Sequence, residues 1–337
     1  MPTALVTGGA GYIGSVTARL LLERGWSVTV LDDLSAGHRA AVPAKARFVE
    51  GEIGDRGAVR AALEGGRPDC VLHFAALTYV GHSFERAHDY FAVNIGGTSM
   101  LLAELVEHGV ANFVFSSSCT VYGEPDSVPI DEAATVKPAV SPYGQTKQTC
   151  ESMLSWLAST GKLSFAALRY FNAAGSTDDL GEDHRPETHL IPLVIDAVLG
   201  RAPELKVFGN DYPTRDGTCI RDYVHVRDLA DAHVAAAELL LAPSTPRGTR
   251  HIVNLGTGTG SSNLEVIQAV EKVSGRKVPY CFAPRRPGDA PALVADNAHA
   301  RKLLGWNPRY TTIESVVETA WKWRVENPTG YPGGEEE

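Results

Sequence analysis

Thr3-Ala4-Leu5-Val6-Thr7-Gly8-Gly9-Ala10-Gly11-Tyr12-Ile13-Gly14 opens the chain with a short apolar run followed by glycines at 8, 11 and 14, and a helical pattern from Ser15 to Arg24 comes next. A strand, a glycine turn and a helix in this order suit a pyrophosphate. One glycine makes the tight turn, one lets the backbone approach the phosphates, and one lets the helix pack close to the sheet with its N-terminus facing the negative charge. The next apolar run ends at Asp32. A carboxylate there can accept hydrogen bonds from both ribose hydroxyls of an adenosine and repels a 2′-phosphate, so the stretch predicts bound NAD rather than NADP. His38 and Arg39, further on, read as a solvated loop.

Beyond this unit the same alternation continues. Thr3 to Thr7, Ser27 to Leu31, Arg47 to Glu50, Cys70 to Phe74, Asn112 to Ser116 and Ser164 to Tyr170 read as buried strands with helical patterns between them. Parallel neighbours need crossover connections, so this order predicts an α/β fold with a doubly wound parallel sheet of the Rossmann type. After about Asn172 a Gly, Asp, Pro and Thr-rich stretch runs to Asp222, interrupted by a helix from His189 to Leu199, and reads as a cap rather than more sheet. Helices at Val226 to Leu241, Asn263 to Ser274 and near Ile313 to Trp323, with a strand at His251 to Leu255, complete the pattern. The expected division is residues 1–172 with about 222–260 for the dinucleotide, and a smaller discontinuous α/β lobe from about 173–221 with 261–330. Residues 331–337, ending in Gly333 to Glu337, read as a flexible tail.

At 337 residues the chain is long enough for two such lobes, and 44% hydrophobic with 21% charged residues is ordinary for a globular protein. A net charge of −9 gives no general attraction for nucleic acid or anionic lipid, so an anionic ligand has to be held by local basic residues. The five cysteines, Cys70, Cys119, Cys150, Cys219 and Cys281, are odd in number and far apart, which argues against disulfides and a zinc knuckle; no metal is expected. No stretch approaches the ~18 apolar residues of a membrane span and no signal-like start is present, so a cytoplasmic location is expected.

The fifth strand runs into Ser116, Ser117, Ser118, Cys119, Thr120, Val121, Tyr122 and Gly123, and Tyr143 with Lys147 follows. On a helix the four-residue gap puts the phenol and the ammonium on one face, where Lys147 would stabilise the phenolate and Ser118 would bond the reacting oxygen. By themselves a tyrosine and a lysine at this spacing are usually an exposed helix pair. Joined to a dinucleotide fingerprint and a serine cluster at the carboxyl end of a strand, where open sheets bind ligands, they read as catalytic.

Gly8 to Gly14, Ser116 to Gly123 and the Tyr143/Lys147 pair together resemble the extended short-chain dehydrogenase/reductases. Within these, Arg169-Tyr170-Phe171-Asn172-Ala173-Ala174-Gly175, Gly209 to Asp228 and Arg286-Pro287-Gly288-Asp289 resemble the UDP-glucose/UDP-galactose 4-epimerase family over about residues 3–325. The resemblance implies that Tyr143 takes the proton from the C4 hydroxyl of a UDP-sugar as the carbon is oxidised, that the 4-keto sugar turns about its pyrophosphate linkage, and that its other face is reduced. Besides Gly8, Gly11, Tyr12, Ile13, Gly14 and Asp32, it assigns to the cofactor Asp33, Ser35, Ala36, Gly37, Glu52, Ile53, Phe74, Ala75, Ala76, Thr78, Asn94, Ser116, Tyr143, Lys147 and Tyr170. Arg221 and Arg286 are implied partners of the pyrophosphate, Asn172 of a phosphate oxygen and Asp289 of the uridine ribose, while Leu190, Phe208 and Tyr223 enclose the base or sugar. Thr78, Ser118, Thr120, Tyr143, Phe171, His189, Lys206, Val207 and Leu293 are further implied substrate contacts. A homodimer through helices at Tyr90 to His108 and Tyr143 to Ser159 is the family expectation.

Several positions depart from the family pattern. Glu52 stands where an Asp near the adenine is usual, and Thr78 and His82 stand where Lys or an apolar residue, and Glu, are expected. Leu293 is smaller than the Tyr some members carry, which leaves UDP-N-acetylhexosamines open, and Thr78, His82, His184 or Arg185 could face a C6 carboxylate, which leaves UDP-glucuronate open. Nucleotide-sugar dehydratases need an acid pair where this chain has Cys119 and Thr120, so elimination is disfavoured. A non-catalytic NAD-sensing protein would have no reason to keep Ser118, Tyr143 and Lys147 together.

Overall fold

The computed structural model describes residues 1–286 and 288–332. Seven parallel strands form the central sheet: β1 (Thr3–Thr7), β2 (Ser27–Asp32), β3 (Arg47–Glu50), β4 (Cys70–His73), β5 (Asn112–Ser118), β6 (Ser164–Tyr170) and β7 (Arg250–Leu255). Their order is β7-β6-β5-β4-β1-β2-β3, with Thr3 opposite Ser27 and Ala4 opposite Cys70. From β1 the chain winds outward through β2 and β3, then returns to the other side of β1 with β4. The carboxyl ends of β1 and β4 therefore flank the switch point at which doubly wound sheets bind ligands.

Side chains alternate across each strand, so one register supplies two cores. Val6, Val30, Leu72, Val114 and Leu168 face α1 (Tyr12–Glu23) and α6 (Val226–Leu241). Leu5, Leu31, Val71, Phe113 and Phe165 face the opposite layer of α2 (Arg56–Leu63), α3 (Thr98–Glu107) and α4 (Pro142–Ser159).

The helix expected from Tyr90 to His108 is interrupted by a π-helical stretch at Phe91–Gly97 before α3. Within it the Asn94 carboxamide accepts from Leu77 N and donates to Leu77 O and Thr146 Oγ1, which fixes the loop leaving β4 against α4. Such single-turn π segments inside helices recur at functional sites.

The region expected to be a cap holds short sheets of its own. Leu205–Phe208 pairs with Tyr280–Ala283 in parallel, and Ile220–Arg221 lies between Ser261–Ser262 and Ala292–Leu293. These strands have two to four residues and no sustained alternation, which is why the sequence reads as cap. With α5 (Leu190–Leu199), α7 (Asn263–Ser274) and α8 (Ile313–Glu326) they enclose a separate core including Val194, Val207, Val266 and Val317. Buried Asp222 ties the lobes together, accepting from the backbone N–H groups of Thr257, Gly258 and Ala295 and from the Thr257 hydroxyl.

Two boundaries differ from expectation. Ala300 and Trp306 pack on the first lobe, where the Trp306 indole donates to Asp228 O at 2.7 Å, although 261–330 reads as second lobe. Tyr331, placed in the tail by sequence, is buried: its amide donates to Asp183, its hydroxyl bonds the Gly181 backbone, and its ring packs on His38 and Trp323. The remainder of the expected tail, 333–337, lies outside the described residues.

Candidate active site

The glycine turn after β1 is a steric requirement. Gly8 has φ +71°, and a Cβ there would lie 2.4 Å from Ala75 N; a Cβ on Gly14 would lie 2.1 Å from Gly8 O. Only glycine closes this turn while α1 starts directly beneath it. Gly11 is the N-cap of α1 and supplies no side-chain acceptor, so the first amides of the helix are open to an anion. At the end of β2, the buried Asp32 carboxylate accepts from Ala10 N and Leu34 N, each at 2.9 Å. Burial raises its pKa and those two amides work against the rise. A Cβ on Gly37 would approach Asp32 Oδ1 to 2.9 Å, so the loop also needs glycine there.

The chemical centre lies where β5 ends beside the start of α4. Ser141 caps the helix by accepting from Gly144 N at 3.1 Å, and Pro142 fills the first helical position, where its missing N–H costs nothing. Tyr143 and Lys147 then share one face and both are buried, as is Ser118. Ser118 Oγ accepts from Thr120 N and Thr120 Oγ1 at 3.2 and 3.1 Å. Lys147 Nζ donates to Ser116 O at 2.8 Å and lies 5.7 Å from the centre of the Tyr143 ring. The Ser116 and Tyr170 hydroxyls bond each other at the back of the site.

One expectation changes here. Lys147 was expected to draw the phenol down, yet burial dominates and pushes Tyr143 well above its usual range, opposed by a hydrogen bond with Ser118. Burial also pulls Lys147 down to about 8. Lys147 is committed to the Ser116 carbonyl rather than paired with the phenol oxygen, so activation of Tyr143 calls for a further positive group in the glycine cradle. The residues fit NAD: an anion-facing helix start, a turn with no room for a Cβ, and a carboxylate at the ribose position.

The other predicted residues are spread over the loops of the first lobe and the short sheets of the second. Phe74, Ala75 and Ala76 leave β4 directly over Gly8. Asp33, Ser35 and Ala36 form an exposed loop in which Asp33 accepts from Ser35 N and Oγ. Tyr12 donates its hydroxyl to Gly175 O. Glu52 and Thr78 are exposed, His82 is half-buried against Tyr79, and Ile53 is buried beneath Gly97. In the second lobe Arg221 donates to Ile220 O and Ala290 O, both at 2.9 Å, and reaches Asp289 at 3.4 Å; Arg286 stacks 3.9 Å over the Phe208 ring. Phe171 and Leu293 share a small cluster with Cys119 and Tyr122, and Asn172 opens the strand paired with Tyr223–His225. Lys206 and His189 are exposed, and Leu190 packs on the second core. Val207 faces that core and offers a ligand only its backbone, because alternation along the short strand turns its side chain inward. The positions of a dehydratase acid pair hold no acid, and burial pushes the Cys119 thiol up to about 12.

The sequence reading missed a cluster at the entrance to α5. Glu182, His184, Glu187 and His189 place one nitrogen or oxygen each within 4.8 Å of one another. Only His189 was expected at the substrate, with His184 a candidate toward a carboxylate. The signal was Glu-x-His-x-x-Glu-x-His, whose spacing matches neither a helix face nor a strand face.

The chain matches the NAD dependent epimerase/dehydratase family over residues 4–256. A relative named UDP-glucose 4-epimerase from Rhizobium leguminosarum bv. trifolii is 47% identical over 330 residues, covering 96% of this chain and 98% of its own. The crystal structure of UDP-glucose 4-epimerase from Brucella ovis in complex with NAD superposes with a TM-score of 0.90 at 46% identity, covering 95% of this chain and 98% of that one. That of the enzyme from Bifidobacterium longum in complex with NAD+ and UDP superposes with a TM-score of 0.92 at 36% identity, covering 98% and 100%.

Proposed function

The chain belongs to the NAD dependent epimerase/dehydratase family, and from that premise we propose that it is an NAD-dependent isomerase that inverts C4 of a UDP-sugar, interconverting UDP-glucose and UDP-galactose. The observation that carries this reading is the buried convergence of Ser118, Tyr143 and Lys147 beside a glycine cradle, with no acid at the positions elimination would require. The relatives' names and the NAD- and UDP-bound neighbours support the cofactor and the substrate class.

Tyr143 takes the C4 hydroxyl proton, and Ser118, held by Thr120, bonds the same oxygen as it becomes a carbonyl. NAD in the cradle supplies the hydride acceptor and donor, and its positive ring favours the phenolate. Lys147, protonated in the main at neutral pH and fixed on the Ser116 carbonyl, adds a second positive charge at short range. Arg221 and Arg286 hold the pyrophosphate and Asp289 the uridine ribose, so the 4-keto sugar can turn without leaving. The hydride removed from C4 returns to the other face of that carbon while Tyr143 returns the proton to its oxygen, so C4 is inverted with no net oxidation.

Trp156 on α4 is 73% exposed, and Phe91 and Val93 beside that helix are also exposed. Apolar groups of this size left in water support a homodimer across the two helices. No described helix is long and apolar enough to cross a membrane, and a cytoplasmic location accords with the substrate class.

Purified protein is incubated separately with UDP-glucose, UDP-N-acetylglucosamine, UDP-glucuronate and UDP-xylose, without added reductant, and C4 epimers are read by proton NMR. UDP-glucose is expected to turn over fastest, and Tyr143→Phe to lower the rate by about 10²- to 10⁴-fold. Turnover of UDP-glucuronate alone would move the assignment to that sugar and point to Thr78 and His82. Absence of an epimer from all four would overturn the mechanism.

A further inference from the structure

We infer that Glu182, His184, Glu187 and His189 form a divalent-cation site, with zinc the best match to its donors. The four lie in the segment joining the lobes, immediately before α5, and their potential ligand atoms all fall within 4.8 Å of one another. His184 Nδ1 is 3.1 Å from Glu182 Oε1 and 3.9 Å from Glu187 Oε1; His189 Nδ1 is 3.8 Å from Glu187 Oε1 and in closer contact with Glu182. Four ligands around one ion, with bonds of about 2.1 Å, lie about 3.4 Å from each other; the separations of 3.1, 3.8 and 3.9 Å bracket that value, and an entering ion would part His189 from Glu182, which touch directly.

A second observation separates this group from an ordinary acidic loop. Only 8% of the Glu187 side chain is exposed, yet its Oε2 has no hydrogen-bond partner, and His184 Nδ1, although 3.1 Å from Glu182 Oε1, is not aligned with it as a hydrogen bond. Glu187 Oε1, the oxygen measured against both histidines, accepts from Thr188 N and His189 N at 2.7 and 2.9 Å, which fixes the carboxylate at the cluster and leaves Oε2 without a partner. Orphaned buried polar atoms are costly and call for an explanation; an ion bound by Glu187 and His184 removes both. Two carboxylates balance a divalent charge. The mixed imidazole and carboxylate set suits zinc, whereas magnesium and calcium take oxygen ligands almost alone.

The position gives the ion a task. The His184 ring makes edge contacts with Tyr12, at the start of α1, and with Tyr79, in the loop after β4, at centroid distances of 6.1 and 5.8 Å. The adjoining Asp183 carbonyl and carboxylate bind His38 and the Tyr331 amide. An ion here clamps the second-lobe connector onto both loops that frame the glycine cradle. It lies outside the Ser118, Tyr143 and Lys147 centre, so its loss is expected to loosen the clamp without removing a reacting group.

The test uses untagged full-length protein, stripped with EDTA and titrated with zinc chloride by calorimetry, alongside His184→Ala and Glu187→Gln checked for folding by circular dichroism. One zinc per chain is expected, with affinity lowered by more than about 100-fold in each folded variant. X-ray absorption on the zinc-loaded wild type, which does not depend on the variants folding, should show nitrogen and oxygen ligands with imidazole scattering. No saturable zinc binding, unchanged affinity in the folded variants, or sulfur ligands from the five free cysteines would each overturn the inference.

Discussion

Acidification from pH 8 to pH 5 is expected to remove about 6 kcal/mol of stability through three histidines buried without charge. His73, at the end of β4, sits between Thr7 Oγ1 at 2.6 Å and Thr98 Oγ1 at 2.9 Å, and desolvation, then the Lys147 charge, hold its pKa at about 3. His225 stacks 3.6 Å from the Tyr310 ring and is lowered to about 3, chiefly by burial. His233, inside α6, donates Nδ1 to Leu229 O, leaves Nε2 without a partner, and is lowered to about 4 by burial. A histidine whose folded pKa lies below its unfolded value of ~6.5 is protonated first in the unfolded chain. Its contribution is therefore complete above that value and is lost as the pH falls toward the folded pKa. Each histidine loses about 1.4 kcal/mol per pH unit in this window, so at pH 5 each has lost about 2 kcal/mol and the three together about 6. Asp32, Asp222 and Asp228, raised by burial, act in the opposite sense, as do Glu187, raised to about 7 by burial and the Glu182 charge, and His189, raised to about 9 against its burial by Glu182, so the net loss is smaller than the three histidines contribute. Urea unfolding followed by tryptophan fluorescence at pH 8, 7, 6 and 5, at fixed NAD, measures the loss. His233→Leu should reduce the loss by about 2 kcal/mol. The same loss in His233→Leu as in the wild type would refute the assignment, since that histidine would then titrate alike in both states.

Gly14→Ala places a methyl group 2.1 Å from Gly8 O, against backbone that cannot move without opening the turn, so this variant should purify without NAD, as read by absorbance after acid precipitation. Trp156→Glu puts a charge on the most exposed aromatic of α4 and should convert the proposed dimer to monomer in sedimentation velocity while leaving the far-ultraviolet spectrum unchanged.

What the sequence disclosed depended on how regular each element is. The central strands were legible because most carry a short buried apolar run, the edge strands Arg47–Glu50 and Arg250–Leu255 being only partly buried, and Val226–Leu241 and Asn263–Ser274 were legible to the residue because their apolar stripes are long. Ser118, Tyr143 and Lys147 were legible because strand end and helix face fix their positions through spacing alone. The π-helical stretch was not: Phe91–Gly97 carries an ordinary helical composition, and what widens it is the fit of Asn94 to Leu77 and Thr146, residues 17 and 52 positions away. Tyr331 looked like tail because its neighbours are Gly, Pro and Glu, whereas its place is set by Gly181 and Asp183, about 150 residues earlier. The Glu182 to His189 cluster escaped for a related reason, since its geometry belongs to an irregular connector and follows no period.

The pair at the chemical centre was legible as residues but not as electrostatics, and the difference bears on how the site works. Spacing alone suggests a lysine activating a phenol. Burial opposes both charges, pushing Tyr143 up and pulling Lys147 down to about 8, so neither a phenolate nor an ammonium is free of cost in the protein alone. The carbonyl of Ser116 holds the ammonium, which at pH 7 is the main form of a group with this pKa, and the proton on Tyr143 is retained until further positive charge enters the cradle beside it. The same burial keeps water away, so each such charge acts at low dielectric and has a large effect on the phenol. Base strength at Tyr143 is thereby tied to occupancy of the glycine turn that opens the sequence.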